Sequence, residues 1–259
     1  MKIVLVGSGN LATNLGRGLK AADEEVVQVY SRTETSARSL SEQLLCSYTT
    51  TLSDIRKDAD VYIYALKDSV LQEVSQQTEG EDAVHLHTAG SMDMHVLAHK
   101  KHYGVFYPLQ TFSKERIVDF KSIPIFLENN DAFSLDKSMQ LAHKLSDHVY
   151  KADSEQRKKM HLAAVFACNF VNCMYANAAE LAASANIPFS VLYALIDETA
   201  AKIHQLSPAE AQTGPAVRMD KNVIDKHLST LSSERQQMIY KLLSEDIYQR
   251  KQKEVSSIK

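Results

Sequence analysis

Short apolar runs alternate with longer amphipathic segments through the first half of the chain. The runs at 1–6, 25–30, 61–65, 83–87 and 103–107 are mainly apolar on both faces and too short for typical helices. Such runs are typical of buried parallel strands. The segments between them have apolar residues at helical spacing. The alternation therefore predicts an α/β fold with a doubly wound, mostly parallel Rossmann sheet.

The pattern changes near residue 153. Two further short strands, predicted at 124–127 and 148–151, extend the sheet, and almost every later segment has the spacing of a helix. We therefore predict two domains. Residues 1–152 form a dinucleotide-binding domain, and residues 153–259 form an all-helical domain for substrate binding and dimerisation.

One predicted helix, residues 160–179, contains no Asp, Glu, Lys or Arg. It is long enough to cross a membrane, but Asn169, Asn172 and Asn177 interrupt it, so we expect no membrane span. A helix that is apolar almost all round must be buried by other helices or by a partner subunit. A helical domain of about 100 residues supplies little cover by itself. We therefore expect a homodimer formed through the C-terminal helices.

The composition is that of a globular protein: 44% of the 259 residues are hydrophobic, 24% are charged, and the net charge is −3. This balance argues against a nucleic-acid surface and against binding to an anionic membrane. The three cysteines form no Cys-x-x-Cys pair, which predicts reduced thiols and a cytoplasmic protein. The first residues form a predicted core strand, and we expect no secretory leader.

A Gly-rich segment follows the first predicted strand directly and opens the first predicted helix. In dinucleotide folds the first glycine permits a tight turn, the second lets a pyrophosphate approach the backbone, and a third small residue brings the helix close to the sheet. The free N–H groups at the start of the helix then bind phosphates. The predicted cofactor-binding residues here are Gly7, Ser8, Gly9, Asn10, Leu11 and Ala12. A tight turn in an unrelated α/β fold is the alternative.

The second predicted strand ends at Ser31 and Arg32. NAD enzymes usually have an acidic residue near this place, which binds the ribose hydroxyls. This chain has a hydroxyl and a guanidinium there, and Glu34 is the first carboxylate after the strand. Because a guanidinium pairs well with a dianionic phosphate, we predict that Ser31 and Arg32 bind the 2′-phosphate of NADP. The alternative is that Arg32 points into water.

The loops after two later strands face the predicted crevice, because ligands of doubly wound sheets bind at the carboxyl ends of the strands. Leu66 and Lys67 follow one strand, and Lys67 either approaches a cofactor phosphate or stays in solvent. Ser91 lies in the loop after the next strand, which ends at His87. Ser91 and His87 are predicted catalytic residues, with a hydrogen-bonded structural role as the alternative for His87.

Two further segments contain candidate substrate-binding residues. Gln110 and Thr111 follow a predicted strand at a turn-like break, and their amide and hydroxyl can contact a small polar substrate. Arg218 and Asp220 lie beside a bend that contains Pro215. This pair can bind a carboxylate, or it can cap and brace the following helix.

Other chemistries find little support in the chain. His95, His99 and His102 have the spacing of one helix face, but lysines lie between them and no carboxylate or cysteine has supporting spacing. We therefore predict surface histidines and no metal site. The chain contains no Gly-x-Ser-x-Gly, His-Glu-x-x-His or Walker sequence, which argues against hydrolases and kinases.

Five stretches together resemble a family of Rossmann-like oxidoreductases whose helical C-terminal half is a domain of unknown function. This family lies within the superfamily of 6-phosphogluconate dehydrogenase, pyrroline-5-carboxylate reductase and the deazaflavin-dependent NADP reductases. The matching stretches, which span nearly the whole chain, are Gly7-Ser-Gly-Asn-Leu-Ala12, His87-Thr-Ala-Gly90, Tyr107-Pro-Leu-Gln-Thr-Phe112, Ala163-Ala-Val-Phe-Ala-Cys-Asn169 and Gly214-Pro-Ala-Val-Arg-Met-Asp220 through His227. The resemblance implies NADP as cofactor and a cleft between two domains.

The β-hydroxyacid dehydrogenase relatives carry a Lys-x-x-x-Asn sequence on the first long helix after the nucleotide domain. Asn169 matches that asparagine, whereas Val165 stands where those relatives have the catalytic lysine. We predict that Asn169 is catalytic and faces the nicotinamide, because a buried amide on an apolar helix needs a polar partner.

The sequence thus predicts an NADP(H)-dependent oxidoreductase. It would move a hydride between nicotinamide and a small polar metabolite such as an imine or a 2-oxo acid, with the cofactor supplying the difficult chemistry. The missing lysine motivates a second hypothesis, a non-catalytic NADP-binding or sensing protein.

Overall fold

The computed structural model describes residues 1–257 and divides the chain into two compact units, Met1–Asn169 and Phe170–Lys259. The division falls within a continuous helix, Ser154–Ser184. The domain boundary predicted at 152/153 coincides instead with the start of that helix. This boundary stays a prediction, because the division into compact units does not show which residues bind the substrate.

The first unit contains a single eight-stranded sheet with the order β3-β2-β1-β4-β5-β6-β7-β8. All neighbouring strands are parallel except β6 and β7, which are antiparallel. The strands are β1 (Lys2–Val6), β2 (Glu25–Tyr30), β3 (Ser47–Thr49), β4 (Val61–Tyr64), β5 (Val84–His87), β6 (His102–Pro108), β7 (Ile125–Asn129) and β8 (Val149–Lys151). The predicted doubly wound, mostly parallel sheet is confirmed.

The helices of the first unit cover both faces of this sheet. They are α1 (Asn10–Ala21), α2 (Glu34–Leu44), α3 (Asp68–Gln76), α4 (Ala132–Leu145) and α5 (Ser154–Ala164). Leu15, Leu40 and Leu141 pack on one face, and Leu71 and Leu97 pack on the other. Burying one such side chain stabilises the fold by about 1.5–3 kcal/mol, so the packing of these helices on the sheet contributes to the stability of this unit.

Capping residues set where the later helices of the first unit begin. The Asp153 side chain accepts from the backbone N–H of Gln156, and the Gln156 side chain accepts in return from the backbone N–H of Asp153. This capping box starts α5 immediately after the last strand. The helix continues through a π-helical turn at Val165–Phe170, which contains Asn169.

The second unit is helical in its described residues, as predicted. Its helices are α6 (Val171–Ser184), α7 (Tyr193–Lys202), α8 (Pro208–Ala211), α9 (Lys221–Thr230) and α10 (Glu234–Ser257). Between residues 170 and 257, the residues described as buried are Ala216, Ile224 and Ser244. Helices α6 and α7 contain none.

Residues 160–179 are not covered by other helices of the single chain, and cover by a partner subunit, the other predicted alternative, stays a prediction. None of these residues is buried, and Leu162 is 57% exposed. The apolar side chains of this helix are expected to be buried, but the described residues of the chain leave them exposed or half-buried. Ser154–Ser184 is also long and apolar enough to cross a membrane by length and composition, a criterion that core helices of other proteins also meet.

Candidate functional site

The turn after β1 has the geometry of a phosphate-binding loop. Gly7 has φ +130°, a conformation that favours glycine, and a Cβ there would collide with the carbonyl oxygen of Ala65. Gly9 is the N-cap of α1, and a Cβ built on Gly9 meets no atom within 4 Å. Because glycine has no side chain to cap the helix, the start of α1 has no side-chain cap, and its first N–H groups can bind an anion.

The residues after β2 complete this loop. The Ser8 hydroxyl donates to the Ser31 hydroxyl at 2.7 Å, which ties the Gly-rich turn to the end of β2. Arg32 is exposed, and its guanidinium makes no hydrogen bond or ion pair within the described residues. Glu34, the first carboxylate after the strand, accepts from the Tyr48 hydroxyl at 3.1 Å. A cation thus stands unpaired where the predicted 2′-phosphate would lie.

The ends of β4 and β5 border the same side of the sheet. Leu66 lies close to Gly7, since a Cβ on that glycine would be 3.5 Å from Leu66 Cδ2. Lys67 is exposed at the N-cap position of α3. Ser91 is exposed and donates to the Asp68 carboxylate at 2.5 Å, so the two loops are linked. The structure therefore brings Leu66, Lys67 and Ser91 to the predicted edge.

His87 has the hydrogen-bonded interior position that was the predicted alternative to a catalytic role. Its side chain is fully buried, and Nδ1 accepts from the backbone N–H of Ala89 at 3.2 Å. Loss of hydration lowers its pKa to about 4, so the ring is neutral at pH 7. The physical reason is the strand itself, which is covered on both faces, so its alternate residues His85 and His87 both point into the protein interior. His87 does not reach the cleft in this conformation.

The structure reveals a pair of side chains that the sequence analysis did not single out. The Tyr107 hydroxyl lies 2.9 Å from His161 Nδ1, joining the end of β6 to α5. Gly90, in the loop after β5, packs against both, since a Cβ there would be 2.6 Å from His161 Nδ1 and 2.9 Å from Tyr107 Cζ. Burial raises the pKa of Tyr107, so its hydroxyl stays protonated. The two residues are 54 positions apart in the sequence, which explains why no local pattern indicated the pair.

This pair borders a cavity of about 470 Å³ in the first unit. Its lining includes Gln110, Thr111, Cys168 and Asn169 together with His161. Asn169 lies in the π-helical turn and is exposed, whereas the sequence argument expected a buried amide. Three predicted site residues, Gln110, Thr111 and Asn169, therefore meet at one cavity. A π-helical turn of this kind often marks a functional site.

Arg157 anchors the helix that contributes His161. Its side chain is fully buried and pairs with the Glu128 carboxylate on β7. It also donates to the backbone carbonyl of Met92, in the segment after Ser91. A buried charge of this kind needs its partners, so loss of either one would be costly. The ion pair thus holds α5 against the sheet and the loop after β5.

The remaining predicted residues lie elsewhere. Arg218 is in a short 3₁₀ helix of the second unit, and the Asp220 side chain accepts from the Val223 backbone N–H at the start of α9. Asp220 thus caps a helix, which was one of the two predicted alternatives. His95 lies in a 3₁₀ turn and His102 in β6, so the expected common helix face is absent. Within the described residues no cluster of three or more His, Cys, Asp or Glu could hold a metal.

Comparison with known proteins agrees with this geometry. Residues 2–86 match a family described as NADP oxidoreductase, coenzyme F420-dependent, and residues 123–247 match a domain of unknown function, DUF2520. A solved structure, BF3122 of Bacteroides fragilis, is provisionally named an NADP oxidoreductase and is 52% identical to this chain. The match covers 96% of this chain and 98% of BF3122, with a TM-score of 0.91. This chain belongs to the NADP oxidoreductases with a DUF2520 domain.

More distant structures share the fold of this NADP oxidoreductase. Protein TM1727 of Thermotoga maritima is 21% identical, with a TM-score of 0.71 over 97% of this chain and 99% of its own. The 1-pyrroline-5-carboxylate reductase of Streptococcus pyogenes is 14% identical, with a TM-score of 0.65 over 97% and 98% of the two chains. No curated protein matches the chain.

NADP is therefore the cofactor of this oxidoreductase, and the residues at the strand ends fit it. The open space beside Gly9 admits a pyrophosphate, and the uncapped start of α1 supplies donors to it. The unpaired Arg32 matches the additional charge that distinguishes NADP from NAD. When bound, the cofactor supplies or accepts a hydride.

Proposed function

We propose that this oxidoreductase reduces the C=N or C=O bond of a small polar metabolite, an imine or a 2-oxo acid, with NADPH. The observation that carries the proposal is the cavity at the carboxyl end of β6, lined by Gln110, Thr111 and Asn169. Amide and hydroxyl groups of this kind orient a small polar substrate. The pyrroline-5-carboxylate reductase among the structures of similar fold has a name compatible with imine chemistry.

In this proposal the cofactor lies along the loops described above. The backbone from Gly7 to Ala12 binds the pyrophosphate, while Ser31 and Arg32 bind the 2′-phosphate. Leu66 and Lys67 border the cofactor after β4. This assignment is supported by the exposure of Arg32 and the hydrogen bond between Ser8 and Ser31.

On the substrate side, Asn169 and Ser91 are proposed to contact the reacting group. Both are exposed, and Ser91 lies in the loop that contains Gly90. Arg218 is proposed to bind a substrate carboxylate, since Asp220 is engaged as a helix cap. The helical domain, proposed from residue 153 onward, would then contribute to substrate binding as well as to dimerisation. The buried position of His87 gives it no contact in this scheme.

We also propose that the oxidoreductase is a cytoplasmic homodimer formed through its C-terminal helices. Leu195 is 64% exposed and Leu242 is 69% exposed, and α6 and α7 have no buried residues. A second copy would cover these surfaces by two-fold pairing, the commonest closed symmetry. Cys46, Cys168 and Cys173 are free thiols, which suits a reducing compartment.

Two measurements on the full-length protein test the proposed function. Fluorescence titration should show tighter binding of NADPH than of NADH. NADPH oxidation should then be followed at 340 nm with a panel of cyclic imines and 2-oxo acids, and we expect turnover of at least one class. Tight binding of NADPH without oxidation by any panel member would favour the rival hypothesis, an NADP-binding or sensing protein.

A further inference from the structure

The pair formed by Tyr107 and His161 has no assigned role, although it lies where chemistry would occur. The two side chains line the same cavity as Gln110 and Asn169. Gly90 brings the loop after β5 into close approach with both side chains. The same loop lies at the carboxyl ends of the parallel strands, the edge where doubly wound sheets bind their ligands. Geometry alone therefore brings an imidazole to the predicted reaction site.

The local contacts leave one ring nitrogen of His161 available. Nδ1 is engaged with the Tyr107 hydroxyl, and no described residue forms a hydrogen bond with Nε2. His161 is only half-buried and lines the cavity, so Nε2 can meet a ligand there.

We propose that His161 is the proton donor of the reduction and that Tyr107 is the residue that positions it. The inference rests on the proposed function. Imidazole is the usual side chain for general acid catalysis near neutral pH. A second residue that fixes one ring nitrogen leaves the other free to exchange a proton with substrate.

The proton and electron balance of the step is simple. The substrate carbon gains the hydride, the π electron pair of the C=N or C=O bond moves to the heteroatom, and the heteroatom takes a proton. His161 enters as the imidazolium, with Nδ1–H donating to the Tyr107 oxygen. The Nε2–H bond breaks in the transfer, which leaves a neutral ring whose remaining proton is on Nδ1. The reverse reaction returns the proton to Nε2.

The test compares His161→Gln and Tyr107→Phe with the wild-type protein, and uses His148→Gln as a control. His148 is exposed and does not line the cavity. For His161→Gln we expect kcat to fall at least a hundredfold on the imine and oxo-acid panel, the range of general acid catalysis, with NADPH affinity within about twofold. Tyr107→Phe should lower kcat about tenfold with little change in KM. The control should match wild type.

A second readout does not depend on turnover. The imidazole ¹⁵N signals of His161, identified by their absence in His161→Gln, should move when NADP⁺ is added to saturation. The Nδ1 signal should also move in Tyr107→Phe, because a hydrogen bond is lost.

The outcomes separate the inference from the proposed function. Retention of turnover within threefold in His161→Gln overturns the inference and leaves the function standing. His161 signals that do not respond to bound NADP⁺ also overturn the inference. If NADPH binds tightly but no panel member is reduced, the non-catalytic rival is favoured, and the proton-donor role falls with the proposed function. Failure of the wild-type protein to bind NADPH overturns the function and the inference together.

Discussion

Arg32 is an exposed cation directly after β2, and it has no partner within the described residues. We expect Arg32→Ala to weaken NADPH binding by about 10- to 100-fold, because one charge-assisted contact is worth about 1.5–3 kcal/mol. NADH binding should change little, since NADH has no 2′-phosphate. Titration of both cofactors against both proteins measures the difference.

The matched control for this variant is Arg38→Ala. Arg38 is exposed on α2, where it pairs with Glu42 at 3.7 Å. Removing Arg38 should leave both cofactor affinities unchanged. Equal affinities of the wild-type protein for NADPH and NADH would show that Arg32 does not bind the 2′-phosphate.

His85 and His87 give the protein a second residue-scale property, a pH-dependent stability. Burial lowers the pKa of each ring to about 4, whereas an unfolded histidine titrates near 6.5. Between these values the unfolded chain binds protons that the folded chain does not. The free energy of unfolding should therefore fall as the pH drops from about 6.5 towards 4.

The measurement is urea unfolding at pH 7, 6 and 5, with His85→Gln as the comparison. Removing one such ring should reduce the change in unfolding free energy with pH by at most about 1.4 kcal/mol per pH unit. In His85→Gln the unfolding free energy should still fall as the pH drops, because His87 remains. A slope identical in both proteins would show that His85 does not contribute.

The π-helical turn Val165–Phe170 is the element that places Asn169 on the cavity. We expect Asn169→Ala to retain the fold and NADPH affinity but to lose turnover, or to lose binding of the ligand that occupies the cleft. Asn177→Ala is the control, because the Asn177 amide donates to the backbone carbonyl of Cys173 within its own helix. A crystal structure with NADP bound decides the point. A nicotinamide more than about 6 Å from the Asn169 amide, roughly two hydrogen-bond lengths, would contradict the assignment.

The same elements show how far sequence reasoning extends. Strands β1, β2, β4, β5 and β6 follow from short apolar runs, and the Gly-rich turn follows from the chemistry of its residues. The antiparallel orientation of β7 has no local signal, because strand direction depends on the path of the loop before it. The contact between Tyr107 and His161 joins β6 to α5 across 54 residues, so spacing could not reveal it. The sequence did indicate Gln110, Thr111 and Asn169. It left two roles open for His87, and the buried ring has the hydrogen-bonded structural one.

For the whole molecule, the exposed apolar surface of the helical unit leads to a prediction about assembly. Light scattering at micromolar concentration should give the mass of a dimer. The double variant Leu195→Asp with Leu242→Asp should give a monomer, because each change would place a charge in the dimer interface. Leu45→Asp is the control, since Leu45 is 82% exposed on the nucleotide-binding unit. A monomeric wild-type protein would refute the homodimer.

The absence of a side chain at Gly90 has a consequence for work in cells. A single methyl group there would clash with His161 and Tyr107, whereas the proposed NADP-binding residues are unchanged. We therefore expect a strain that carries Gly90→Ala to hold a protein that binds NADP but lacks turnover. Growth of that strain, beside one that lacks the gene, would tell whether the organism depends on the reaction or on the bound cofactor.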